Sequence, residues 1–132
     1  MKLIDKIALI YVKDKRILCT LSKGKDIYYL PGGKREKDES DTDTLLRECK
    51  EELNVEIIKD TIQYYGTFEA QAHAKDEGIL VKMTCYIADF NGDIKPSSEI
   101  ESINWLNCND LEKISQVDKL IFDDLNKKGL IS

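Results

Sequence analysis

Glu48, Glu51 and Glu52 are the residues of this chain whose type and spacing most suggest chemistry. They stand at i, i+3 and i+4 within Thr44 to Val55, a stretch whose apolar residues Leu45, Leu46, Cys49 and Leu53 recur at helical spacing. On a helix the three carboxylates share one face and repel one another, at a cost of roughly a few tenths of a kcal/mol per pair unless a cation lies among them. Oxygen-only donors of this kind suit a hard ion, Mg2+ or Mn2+. A solvated acidic helix face would carry the same three residues, so the pattern around them decides between the two readings.

That pattern extends upstream. Gly33 is followed after five residues by Glu39, and Glu39 after seven by Arg47-Glu48-Cys49-Lys50-Glu51-Glu52-Leu53-Asn54-Val55. At these residues the chain resembles the Nudix hydrolase family, with Gly33, Glu39, Arg47, Glu48, Glu51 and Glu52 matching the family's box in type and spacing. If each residue type fills about one position in ten to twenty, chance agreement at a given start point is rarer than about one in a million. One position departs, because Asn54 stands where the family has glycine. A left-handed residue is wanted there after the helix, and asparagine is the next most tolerant of that conformation.

The resemblance implies an α/β (α+β) fold in which a mixed sheet is sandwiched between helices. It implies hydrolysis of a nucleoside diphosphate linked to a further group, either a nucleoside triphosphate, oxidised ones included, or a nucleotide sugar. The products are a nucleoside monophosphate and the phosphorylated remainder. It also implies Mg2+, with Mn2+ as the alternative, held by Glu48 and Glu52 with the Gly33 carbonyl, while Glu51 either binds metal or orients the water. The general base differs between branches of the family, which leaves Glu48, Glu51 and a loop acid, Glu99 or Glu101 ahead of Trp105, as alternatives. Arg47 is implied to hold a box carboxylate through an ion pair. The reading from another class is a module of the same fold that senses a nucleotide without turning it over, and the retention of all three glutamates speaks against it.

The residues expected to meet the substrate are Tyr28, Tyr29, Phe68, Glu69, Gln71 and His73, which flank or follow strands bordering the cleft and could stack on and read a base. The competing reading is that alternate residues of Ile62 to Ala72 fill the core and that His73 is an ordinary loop residue.

The elements that must position these groups follow from patterning. Lys6 to Val12 and Arg16 to Leu21 are rich in β-branched and aromatic residues and flank Lys13-Asp14-Lys15, which predicts a hairpin. Ile27 to Leu30 reads as a short strand stopped by Pro31-Gly32-Gly33, two glycines that let the backbone approach a metal or phosphate. Ser40 with Asp43 offers a capping-box start for the helix, and Asp41 and Asp43 complement its positive end. Ile62 to Ala72, Ile79 to Phe90 and Ile100 to Leu106 read as further strands, with a tight turn at Asn91-Gly92. Val117, Leu120, Ile121 and Leu125 predict a second amphipathic helix that ends at Lys127-Lys128-Gly129.

Composition bounds the rest. A length of 132 residues with 42% hydrophobic residues predicts one domain over 1–132. With 20 Lys+Arg against 25 Asp+Glu the net charge is -5, which disfavours binding to long nucleic acid but not to a small nucleotide, since a divalent cation reverses the local sign. No apolar run suits a membrane span or a signal peptide, so no membrane partner and a cytoplasmic location are expected. Cys19, Cys49, Cys85 and Cys108 lack metal-site spacing and read as reduced, buried thiols. A homodimer is among the assemblies the resemblance allows.

Overall fold

The computed structural model describes residues 2–72 and 78–132. His73, one of the residues expected to meet the substrate, lies outside them. The chain runs β1 (Lys2–Ile10), β2 (Val12–Lys13), β3 (Arg16–Ser22), β4 (Gly32–Gly33), α1 (Asp41–Leu53), β5 (Glu56–Ile57), β6 (Gln63–Gln71), β7 (Ile79–Ile87), β8 (Phe90–Asn91), β9 (Ile100–Leu106) and α2 (Gln116–Lys127), with short 3-10 turns at Lys59–Thr61 and Cys108–Lys113.

The strands form a mixed four-stranded sheet in the order β4-β1-β7-β6, an antiparallel sheet β2-β3-β9 and a ribbon β5-β8. β1 runs parallel to β7 from Lys2 opposite Ile79 to Ile10 opposite Ile87, and β4 and β6 join antiparallel at either side. Successive residues of an extended strand face opposite ways. In β1 this sends Ala8 and Ile10 into a core with Val117, Ile121, Phe122 and Leu125 of α2, and Ile7 and Leu9 into a core with Leu45, Cys49 and Leu53 of α1. β3 divides in the same manner, with Ile17 and Cys19 on the α2 side and Leu18 on the α1 side. The sheets therefore lie between two helices, the α+β sandwich expected from the sequence.

Several local expectations change. The expected hairpin splits at Tyr11, so that β1 joins the four-stranded sheet and only β2 pairs with β3. Asp14 and Lys15 close that pairing with φ of 53° and 65°, the doubly left-handed turn that matches strand twist. Ile27 to Leu30 is not a strand; its backbone makes only isolated bridges, Thr20 with Tyr29 and Tyr28 with Ile114. Leu120 is 45% exposed, and its expected place inside is taken by Phe122, because α2 is rotated to bury Asp118 as well.

Helix α1 begins and ends as its sequence requires. The Ser40 hydroxyl accepts from the Asp43 N–H at 3.1 Å and the Asp43 carboxylate accepts from the Ser40 N–H at 3.2 Å. Asn54 closes the other end in the left-handed conformation, φ 59° and ψ 37°, its N–H donating to the Lys50 carbonyl. That registers Glu48, Glu51 and Glu52 relative to the glycines of β4.

Candidate active site

The cleft that receives the glutamates is about 520 Å3 in volume. Its wall is built by β4, whose two glycines are required by close approach. A Cβ on Gly32, at φ +147°, would lie 2.0 Å from the Ile7 carbonyl oxygen, and one on Gly33 would lie 2.5 Å from the Glu48 carboxyl. The first glycine lets β4 pair with β1, and the second lets α1 bring Glu48 against the backbone.

Glu52 is 6% exposed, and its Oε1 accepts from the Gly32 N–H at 3.0 Å. Burial raises its pKa to about 8; the Gly32 N–H opposes the shift, and the charges of Glu48 and Glu99 add to it. Burial also raises the Glu48 pKa, against the opposing pull of Arg47. Arg47 is the hub of the acidic cluster. Its Nε donates to Glu39 Oε2 at 2.7 Å and its Nη2 to Glu39 Oε1 at 2.9 Å, a two-point grip, while Nη1 donates to Glu48 Oε1 at 2.7 Å. Nη2 also reaches the Lys34 carbonyl at 3.0 Å. The Arg47 hydrogen bonds, first among several, hold the Glu39 pKa down to about 2. Arg47 thus ties the loop after β4 to α1 and orients Glu48 toward the cleft.

The other expected residues divide. Gly33, Arg47, Glu48, Glu52 and Glu99 line the cleft together. Glu51 is turned aside, with its side chain 46% exposed and 3.5 Å from the Arg47 guanidinium. Glu101 is exposed on β9 and away from the lining residues. Tyr28 is half-buried against the α2-side core, its hydroxyl accepting from Asn104 Nδ2 at 2.6 Å; its neighbour Tyr29 faces the cleft instead. Glu69 sits exposed on β6 opposite Lys82, and Gln71 borders a small cavity next to the cleft. Sequence reasoning missed Lys6, Lys25 and Lys34, all of which line the cleft. A lone lysine within the apolar run of β1 was the signal available for Lys6. It also missed Asp118, fully buried, with neither carboxylate oxygen in a hydrogen bond. Burial raises its pKa to about 7, while the charge of Lys6 pulls the other way.

Among the described residues no three acidic, histidine or cysteine side chains converge as a ready-made metal centre. The donor set nevertheless suits a hard cation. Glu48 and Glu52 are paired carboxylates taken largely out of water, Glu52 satisfied by a single backbone N–H, and the space beside Glu48 is one that a Cβ on residue 33 would fill. Two carboxylates whose pKa values are raised, chiefly by burial, gain most from added positive charge.

A family model described as NUDIX domain matches residues 4–125. The chain is 29% identical over 105 residues to the uncharacterized Nudix hydrolase YvcI of Bacillus subtilis, covering 76% of this chain and 64% of that relative's length. It is 27% identical over 110 residues to the CTP pyrophosphohydrolase of Escherichia coli, covering 80% of this chain and 76% of the relative. In structure it is similar to the ORF135 protein of E. coli, with a TM-score of 0.70, 25% identity, and coverage of 93% and 88% of the two chains. With Glu48 and Glu52 of the box set in one cleft and the match running through nearly the whole chain, this protein belongs to the Nudix hydrolase family.

Proposed function

We propose that this protein is a divalent-cation-dependent pyrophosphohydrolase that cleaves a nucleoside diphosphate linked to a further group, giving a nucleoside monophosphate and the phosphorylated remainder. The observation that carries the reading is the pairing of Glu48 and Glu52 in a cleft of about 520 Å3, against glycines that expose the backbone. The relative named CTP pyrophosphohydrolase supports it.

Glu48, Glu52 and the Gly33 carbonyl would hold Mg2+, or Mn2+ in its place, with Glu51 able to join them by turning away from Arg47. Such an ion offsets phosphate charge and acidifies bound water. Arg47 acts as a positioning residue, keeping Glu48 ionised and aimed. Glu99, on the opposite rim, and Glu51, at the open edge, are the carboxylates free to accept a proton from the attacking water. Lys6 and Tyr29 border the substrate, and β9 carries Glu99's loop past the cleft mouth. The three buried free thiols, Cys19, Cys49 and Cys85, suit a reducing compartment, the cytoplasm.

The test is incubation of the purified protein with Mg2+ and a panel of nucleoside triphosphates, ADP-ribose and dinucleoside polyphosphates. Release of nucleoside monophosphate, lost in Glu52→Gln and lowered in Glu51→Gln, is the expected result. Tight binding across the panel without turnover would instead make the protein a nucleotide sensor.

A further inference from the structure

The paired carboxylates depend on a strand that has little backbone to hold it. β4 is two residues long, with Gly32 opposite Ala8 and Gly33 opposite Ile7, and the Leu9 N–H donates to the Pro31 carbonyl at 2.8 Å just before it. Strands usually run to at least about three residues, so something beyond this ladder must fix β4. Its place matters to both glutamates. The Gly32 N–H donates to Glu52 Oε1 at 3.0 Å, and Gly33 leaves the space beside the Glu48 carboxyl.

Side chains continue the register where the backbone pairing stops. Two residues on from Ile7 opposite Gly33, on the same face of the antiparallel pair, Asp5 comes opposite Arg35. Arg35 Nη1 donates to Asp5 Oδ2 at 2.9 Å, and its Nε donates at 2.6 Å to Oδ1 of Asp41, in the first turn of α1. The Tyr86 hydroxyl, on β7, donates to the other Asp41 oxygen at 2.5 Å. One guanidinium thus joins β1, the loop after β4 and α1, with β7 behind them.

The preceding residue is held separately, because the Lys34 carbonyl accepts from Arg47 Nη2 at 3.0 Å. The two residues after Gly33 are therefore clamped in different ways, Lys34 through its backbone and Arg35 through its side chain. Arg47 belongs to the box, whereas residue 35 falls among the five positions between Gly33 and Glu39 that the box leaves open. Arg35 does not line the cleft. With the Arg35, Asp5 and Asp41 side chains 33, 37 and 29% exposed, these pairs add little to global stability. Their effect is local, on where β4 lies.

We propose that Arg35 is a positioning residue for the cation site. By extending the β4–β1 register through Asp5 and tying it to Asp41, it keeps Gly32 and Gly33 where Glu52 and Glu48 need them. This rests on the reading above that Glu48 and Glu52 hold a divalent cation.

Two measurements on the full chain test the proposal. The first needs no metal and follows amide hydrogen exchange of Gly32 and Gly33 by NMR. In Arg35→Ala that exchange should quicken about tenfold, while the amides of α2 exchange as before. The second is Mn2+ binding without nucleotide, read from the electron paramagnetic resonance of the free ion. Its Kd should rise about three- to tenfold in Arg35→Ala, less than the roughly ten- to hundredfold typical of groups that touch a metal ligand directly. Arg35→Lys, whose single ammonium cannot span both carboxylates, should recover only part of the affinity. Asp5→Asn should weaken binding in the same direction and add nothing further to Arg35→Ala, as expected of partners in one interaction. Ser115→Ala, which removes the cap of α2 on the other side of the sheet, should lower stability and leave the Mn2+ Kd unchanged. Unaltered exchange at Gly32 and Gly33 in Arg35→Ala would overturn the clamp. Quickened exchange with unaltered Mn2+ affinity would make Arg35 merely structural and overturn its positioning role. Quickened exchange in a protein that binds no Mn2+ even as wild type overturns the cation reading and leaves Arg35 as the clamp of β4.

Discussion

At the scale of single residues, the charged groups of this protein divide into those with partners and those without. Arg47 spans Glu39 and Glu48 with separate nitrogens, a reach that a lysine's single ammonium cannot reproduce. Arg47→Lys should cut kcat by about ten- to a hundredfold while the folded protein persists, measured by turnover alongside circular dichroism. Asp118 is the opposite case, a carboxyl buried without a hydrogen bond. Its folded pKa is raised to about 7 from an ordinary 3.8, so the folded state binds more protons than the unfolded one between those values. Its contribution to stability is intact below about pH 4 and is lost as pH climbs toward 7. Asp118→Asn should therefore raise Tm at pH 8, by an amount corresponding to roughly 4 kcal/mol, and change it little near pH 4. Thermal melts at the two pH values decide, and an equal shift at both would refute the account.

At the scale of elements, α1 is specified by its ends as much as by its face. The reciprocal Ser40 and Asp43 bonds satisfy two N–H groups that the helix leaves open. Ser40→Ala should lower stability by about 1 kcal/mol with kcat nearly unchanged, seen in urea unfolding. Asn54 occupies the left-handed site that glycine fills in the family box, at φ 59°. Asn54→Gly should stabilise by a few tenths of a kcal/mol, whereas Asn54→Ala should cost about 1 kcal/mol. β4 is less forgiving, because its geometry is imposed by another strand. Gly32→Ala would drive a Cβ into the Ile7 backbone, a clash no rotamer relieves, and should cost about 3 kcal/mol or more. A soluble, fully active Gly32→Ala protein would refute the pairing of β4 with β1.

At the scale of the whole molecule, what was legible in the sequence was local. The box spacing marked the acidic face of α1, Ser40 and Asp43 marked its start, and the runs now seen as β6, β7 and β9 were readable from side-chain periodicity because each depends on neighbours near in the chain. The net charge of -5 describes the surface as a whole and hides a cleft in which lysines and glutamates are interleaved. Which strands would pair was not legible. β1 turned from its expected hairpin partner to β7, 77 residues away, because nine register pairs of parallel sheet between two cores outweigh a short turn. The side on which each aromatic and lysine would lie depended on that pairing, so Tyr29 and not Tyr28 faces the cleft. Asp118 is polar by type and buried only because α2 packs on that side of the sheet. The sequence by itself determined the family, the box carboxylates and the helix that carries them, since these are set by spacing along one element. Only the tertiary structure decided which cations meet them, because Lys6, Lys25 and Lys34 converge through contacts between segments distant in the chain, and no local pattern encodes those contacts.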